Sequence, residues 1–134
     1  MALTLAEKTR LCAQAADSRQ AEDIVVLDMQ PFSAVADHFL ICNGRSDRQV
    51  KAIADAIEEH LIKHGAKPYA IEGYQTGTWI LMDCGDLVVH VFAPETRSFY
   101  GLERLWSRAT RVEVPGIPIA SGPALRTDTA PLEQ

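Results

Sequence analysis

The sequence predicts an α/β (α+β) fold in which one mixed five-stranded sheet carries helices mainly on one face. Three observations predict it: two helical segments open with capping boxes, five short segments have the apolar character of strands, and the elements follow the order α-β-β-α-β-β-β-α. The chain has 134 residues, which is enough for one domain whose core needs neither disulfide bonds nor a metal.

The first three elements are a helix and two strands. Thr4 and Glu7 stand three residues apart and form a capping box, so the first helix begins there. Residues 23–29 (DIVVLDM) are a β-branched run and predict a buried strand. Residues 38–43 (HFLICN) predict a second strand, which Gly44 stops.

The central helix has the clearest pattern in the chain. Ser46 and Gln49 form a second capping box, and Gly65 ends the helix. Apolar residues between them recur at helical spacing and define one buried face: Val50, Ile53, Ala54, Ile57 and Leu61.

The second half of the chain predicts three strands and a last helix. The strands are residues 69–72, 78–83 and 87–92, and Pro94 suits the first turn of a helix over 95–106. One stripe of that helix is expected in the core and comprises Phe99, Leu102 and Trp106. Tyr100 and Arg104 point elsewhere, towards a partner surface, a dimer contact or solvent.

The domain is expected to end near residue 110. Residues 1–110 form the folded unit, and residues 111–134 are expected to be a proline-rich C-terminal tail, extended or disordered. Four of the seven prolines fall within 115–131.

Charge, cysteine content and hydropathy indicate the kind of binding partner and the cellular compartment. The net charge of −5 suits a basic protein partner better than the phosphates of a nucleic acid. The cysteines, Cys12, Cys42 and Cys84, form no C-x-x-C pair and are expected to be reduced. No apolar run approaches the roughly 18 residues of a membrane helix, and no secretory signal is evident, so we expect a cytoplasmic protein.

The two strongest strands form a hairpin. With Cys84 and Gly85 as a two-residue turn, Asp83 would pair with Asp86 and Trp79 with His90. Alternation then places aliphatic side chains under the helices, namely Ile80, Met82, Leu87, Val89 and Val91. The opposite face carries Trp79, Leu81, Asp83, Asp86, Val88, His90 and Phe92.

That second face has two interpretations. It is a partner surface with Trp79 as its anchor, where Asp83 and Asp86 meet a lysine or arginine of the partner. Alternatively, the first helix or the tail covers it, and the two carboxylates lie in water at the turn.

Four blocks of the sequence carry a family resemblance. They are DIVVLDM, ADHFLICNGRSDRQVKAIADAIEE, WILMDCGDLVVHVF and RSFYGLERLW. Together they resemble the ribosomal silencing factor family, also called Iojap-like, over about residues 5 to 110.

The resemblance implies a translation repressor. Family members bind the large ribosomal subunit through its L-fourteen family protein and block joining of the small subunit in starved or stationary cells. It also implies a nucleotidyltransferase-like fold without catalytic residues and a homodimer. The family's contact tryptophan matches Trp79, and geometry extends the partner-binding site to Asp83, Asp86, His90 and Tyr100.

An enzyme with magnesium-dependent nucleotide chemistry is the main alternative. Such enzymes hold the metal with acids two residues apart on a strand, and no two acids of this chain have that spacing. Gly44-Arg45-Ser46 could bind a phosphate at the start of the helix, or Ser46 could act only as the cap of that helix. We therefore expect no catalytic residue and no cofactor.

Two weaker patterns concern metals and RNA. His60 and His64 stand four apart on a helix, but no third metal ligand is evident, so we expect no metal site. Arg45, Arg48 and Lys51 form a small basic cluster that could make a minor contact with ribosomal RNA.

Overall fold

The computed structural model describes residues 2–118 and confirms the predicted order of elements as far as the last helix. That helix is divided in two. The elements are α1 (Leu5–Ser18), β1 (Glu22–Asp28), β2 (His38–Asn43), α2 (Asp47–Lys63), β3 (Ala70–Glu72), β4 (Trp79–Asp83), β5 (Leu87–Phe92), α3 (Pro94–Tyr100) and α4 (Leu102–Leu105).

The five strands form one mixed sheet in the order β1-β2-β5-β4-β3. β2 and β5 run parallel, and every other neighbouring pair is antiparallel. The parallel pair brings the carboxyl ends of β2 and β5 to one edge, where Asn43 lies beside Phe92. The predicted mixed five-stranded sheet is confirmed.

The two main helices begin as the sequence predicts. Thr4 and Glu7 form the complete capping box of α1. At α2 the Ser46 hydroxyl accepts from the Gln49 amide, but the Gln49 side chain accepts from the Arg45 amide at 2.7 Å instead of completing a box with Ser46. One free amide of the first turn, that of Gln49, is thus satisfied within the chain, as is the Arg45 amide just before the helix.

The predicted pairing of β4 with β5 is wrong by two residues. Trp79 pairs with Phe92 rather than His90, and Asp83 pairs with Val88 rather than Asp86. The turn lies one residue later than predicted: the Cys84 N–H donates to the Leu87 carbonyl at 2.9 Å, so these two residues pair and the two-residue loop is Gly85-Asp86. A shift of two residues leaves the side chains of the two strands on their predicted faces, since sides alternate with a period of two. Asp86 is the exception: it now lies in the turn, and its carboxylate points to the side of α1 instead of the predicted face.

α1 and α2 pack side by side on one face of the sheet. The core between them and the strands contains side chains with no exposed surface, including Ile53, Ile57, Ile80, Met82 and Val89. α1 therefore folds onto its own chain and leaves the opposite face of the sheet uncovered.

The chain after β5 covers part of that opposite face. Gly101 adopts a left-handed conformation (φ 57°) that ends α3, so the continuous helix predicted over 95–106 is wrong. Leu102 and Trp106 then pack, as predicted, against a second core on this side of the sheet, which comprises Val25, Leu27, Met29, Ile41, Phe92 and Ala109. Phe99 does not, and its side chain is 79% exposed, because the break at Gly101 turns it away from the stripe.

The segment after α4 lies along the free edge of β1. The Asp28 N–H donates to the Thr110 carbonyl and the Val112 N–H to the Val26 carbonyl, both at 2.8 Å. Val114 packs against the core beyond them. Residues 111–118 thus shield the edge strand, while the rest of the predicted tail, 119–134, lies outside the described residues.

The cysteines are free and buried, as expected of structural thiols. Burial raises the pKa of the Cys42 and Cys84 thiols to about 12 and raises that of Cys12 as well. These thiols remain protonated and therefore unreactive at neutral pH. Within residues 2–118, no helix has both the length and the apolar character that crossing a membrane requires.

Candidate partner-binding face

The uncovered part of the sheet forms one continuous surface with α3. We call this surface the Trp79 face; it comprises Trp79, Leu81 and Asp83 of β4, Val88 of β5, and Phe99 and Tyr100 of α3. All six residues are half-buried or exposed.

Three aromatic side chains form a row across this face. The ring centroids of Trp79 and Tyr100 are 4.6 Å apart, and those of Tyr100 and Phe99 are 5.1 Å apart. Tyr100 is 50% exposed, and Phe99 is more so. Exposed aromatic rows of this kind are typical of sites where another macromolecule docks.

His90 lies beneath Trp79 rather than on the surface. Only 4% of the residue is exposed, and its ring packs edge-on to Phe39 at 4.7 Å. The Trp79 indole N–H donates to His90 Nδ1 at 3.2 Å. Burial lowers the pKa of His90 to about 4, so the ring is neutral at physiological pH.

The two carboxylates expected at the turn lie apart. Asp83 stays on the Trp79 face and accepts from the Gly85 N–H at 3.0 Å. Asp86 points to the helix-covered side, where the Lys8 ammonium of α1 binds it at 2.8 Å. Lys8 also donates to the Cys84 carbonyl, so this ion pair fastens α1 to the hairpin turn.

An arginine not singled out by the sequence patterns holds α3 in place. Two nitrogens of the Arg97 guanidinium donate to the Glu103 carboxylate at 2.8 and 2.9 Å. A third donates to the side-chain oxygen of Asn43, at the end of β2, at 2.7 Å. This network fixes the helix that carries Tyr100 against the sheet.

The residues considered as metal ligands or as an RNA or phosphate contact have partners within the fold. His60 Nδ1 contacts the Ala56 carbonyl at 2.8 Å, and His64 Nδ1 contacts the His60 carbonyl at 2.9 Å. Arg45, of the small basic cluster, pairs with Glu22 at 2.8 Å. The Lys51 ammonium lies 5.6 Å from the centre of the Tyr74 ring.

Comparison with known proteins agrees with this fold. The model of the family described as "Ribosomal silencing factor during starvation" matches residues 2–132. Ribosomal silencing factor RsfS of Bacillus subtilis is 48% identical over 100 residues, which cover 75% of this chain and 85% of the relative. A crystal structure of a Chromobacterium violaceum protein superposes with a TM-score of 0.77 at 30% identity, covering 88% of this chain and 95% of that one.

A more distant relative comes from an animal. The mouse protein named "Mitochondrial assembly of ribosomal large subunit protein 1" is 36% identical over 91 residues, which are 65% of this chain and 40% of that protein. The family match extends beyond the blocks over 5 to 110 in which the resemblance is evident. This chain belongs to the ribosomal silencing factor family.

Proposed function

We propose that this protein is a non-enzymatic translation repressor that binds the large ribosomal subunit and blocks joining of the small subunit. In this proposal the partner is the L-fourteen family protein, and the Trp79 face is the surface that contacts it. The protein acts in the cytoplasm of starved or stationary cells. The observation that carries the proposal is the aromatic row in which the half-buried Trp79 is followed by the exposed Tyr100 and Phe99.

The chemistry of the face suits a ribosomal protein. Trp79 and Tyr100 offer apolar area with little conformational entropy to lose, which is typical of energetic centres of interfaces. The carboxylate of Asp83 at the rim, which accepts one bond from the Gly85 N–H, and the net charge of −5 complement a basic partner. An interface of roughly 800 Å² per partner is sufficient for a steric block.

Enzymatic nucleotide chemistry finds less support in the geometry. Asp83 and Asp86, the two acids nearest each other on the hairpin, point to opposite sides of the sheet. The Gln49 amide, one of those that a phosphate would contact at the start of α2, already binds the Ser46 hydroxyl, and the Arg45 amide just before the helix binds the Gln49 side chain. The regulatory role therefore remains the proposal.

Co-sedimentation with purified large subunits tests the proposal. We expect Trp79→Ala to remain folded and to bind about 30-fold more weakly, since truncating a central aromatic costs about 2 kcal/mol or more. Tyr74→Ala is the matched control, because Tyr74 is an aromatic that bonds Asp55 of α2 on the other side of the sheet. Equal affinity of the wild type and Trp79→Ala would contradict the assignment of the face.

Two further measurements separate the finer parts of the proposal. Calorimetric titration with the isolated L-fourteen protein should reproduce the loss seen for Trp79→Ala. Binding to large subunits without binding to this protein would overturn the choice of partner. Light scattering should show whether a homodimer forms, and a dimer that hides Trp79 should dissociate when large subunits are added.

A further inference from the structure

His90 is a buried polar residue at the centre of an otherwise apolar cluster. An indole N–H can only donate, so the 3.2 Å contact with Trp79 makes His90 Nδ1 the acceptor. A neutral imidazole with an unprotonated Nδ1 carries its single proton on Nε2. Nε2 is buried and has no hydrogen-bond partner within residues 2–118.

This arrangement costs the fold free energy. A buried N–H without an acceptor loses its bonds to water and gains none in return. A phenylalanine at this position would pack among Phe39, Trp79 and Phe92 without that loss. What histidine supplies and phenylalanine does not is the acceptor at Nδ1.

That acceptor determines how Trp79 is presented. Because His90 is buried, the bond turns the indole N–H inward, and an apolar part of the ring faces outward. Phe92 and Tyr100 pack against Trp79 at 5.1 and 4.6 Å but offer its N–H no acceptor on the inner side. The hydrogen bond therefore distinguishes one indole orientation from its flipped alternative.

We propose that His90 is a positioning residue of the Trp79 face: its Nδ1 holds the Trp79 indole in the orientation that the partner binds. This inference rests on the proposed function of the face. A side chain already held in its bound orientation loses less entropy on association, so affinity rises without any contact between His90 and the partner.

Two substitutions separate the acceptor from the packing volume. His90→Asn places an amide oxygen close to the position of Nδ1 but leaves the ring volume empty. His90→Phe fills the volume but removes the acceptor. The indole N–H resonance of Trp79 in proton–nitrogen spectra reports the bond directly, and Trp106, the other tryptophan, is the internal reference.

We expect the Trp79 resonance to stay near its wild-type position in His90→Asn. In His90→Phe it should move towards that of a free indole, while Trp106 is unchanged. An unchanged Trp79 resonance in His90→Phe would overturn the proposal. Nitrogen spectra of the wild type, which require no variant to fold, should show His90 with its proton on Nε2; a proton on Nδ1 would equally overturn it.

Binding to purified large subunits completes the test. We expect His90→Phe to bind about five- to tenfold more weakly, the effect of one hydrogen bond, and His90→Asn to bind more tightly than His90→Phe. In a Trp79→Phe background the same His90→Phe change should have no further effect. The opposite ranking of the two variants would show that His90 acts through volume alone and would overturn the proposal.

These readouts keep the two proposals apart. If the wild type fails to bind large subunits, the proposed function fails, while the indole and imidazole resonances still decide the role of His90 in holding Trp79. If the wild type binds and His90→Phe binds equally well, only the positioning role fails.

Discussion

The Arg97–Glu103 pair offers a quantitative test of how α3 is held against the sheet. The Arg97 side chain is 11% exposed, and Glu103 receives two of its hydrogen bonds. Glu103→Gln keeps the shape of the side chain but removes the charge and turns an accepting oxygen into an N–H group that faces the guanidinium. The change therefore breaks the pair without creating a cavity.

The expected cost is about 2 kcal/mol in the free energy of unfolding. One charge-assisted hydrogen bond contributes about 1.5–3 kcal/mol, and breaking a fully buried pair costs about 3–5 kcal/mol. The lower range applies because Glu103 is 23% exposed. For a domain of this size the midpoint of thermal unfolding should fall by roughly 8 °C.

Urea unfolding followed by circular dichroism measures this cost. Arg45→Gln is the matched control, because Arg45 pairs with Glu22 at the same 2.8 Å but is 80% exposed, and the change leaves the bond between Glu22 and the Asn43 amide in place. Solvent screens that pair, so we expect a loss below about 0.5 kcal/mol. Equal losses in the two variants would refute the reasoning that burial of Arg97 makes this network hold α3.

Two further predictions concern pH and charge. The pKa of His90 is about 4 in the folded chain against 6.5 for an unperturbed histidine, so the unfolded chain takes up the proton first as pH falls. Between about pH 6.5 and about pH 4, the contribution of His90 to the free energy of unfolding should therefore decrease by about 1.4 kcal/mol for each unit that the pH falls. Urea titrations at several pH values measure this, and the pH dependence should be shallower in His90→Phe. Asp83→Asn retains an acceptor for the Gly85 N–H but loses the charge, so subunit binding should weaken and depend less on salt. Asp86→Asn is its control: Asp86 pairs with Lys8, so stability should fall while binding is retained.

Local patterns in the sequence predict most of the fold. The capping box at Thr4 and Glu7 and the helical spacing through α2 act between residues close in the chain, and the structure confirms both. The assignment of faces along the two hairpin strands also holds, since it depends only on alternation, but Asp86 in the turn points to the other side. The register does not hold, because Cys84 pairs with Leu87 through a hydrogen bond, which places the two-residue loop one residue later, at Gly85-Asp86.

The errors arise where distant residues meet. Lys8 reaches Asp86 across 78 positions of the chain, and Arg97 reaches Asn43 across 54. No local spacing indicates such pairs. The left-handed conformation at Gly101 could have been suspected from the glycine itself, but the apolar stripe favoured a continuous helix.

For the candidate site too, local sequence patterns predict some features, and contacts between distant residues decide the others. Alternation along β4 and β5 places Trp79, Asp83 and His90 on one face, and the structure agrees. The burial of His90 depends on Phe39 of β2, a neighbour that only the parallel pairing of β2 and β5 supplies. Sequence alternation therefore indicates the face, while tertiary packing decides which side chains are exposed on it.

A subunit-joining titration directly tests the proposal that the bound protein blocks joining of the ribosomal subunits. Purified small and large subunits are mixed with increasing amounts of the protein, and the joined fraction and the bound protein are measured together by sedimentation. If the protein blocks joining sterically, joining should fall as large subunits become occupied, and Trp79→Ala should require about 30-fold more protein for the same effect. Undiminished joining on large subunits that carry the bound protein would contradict it.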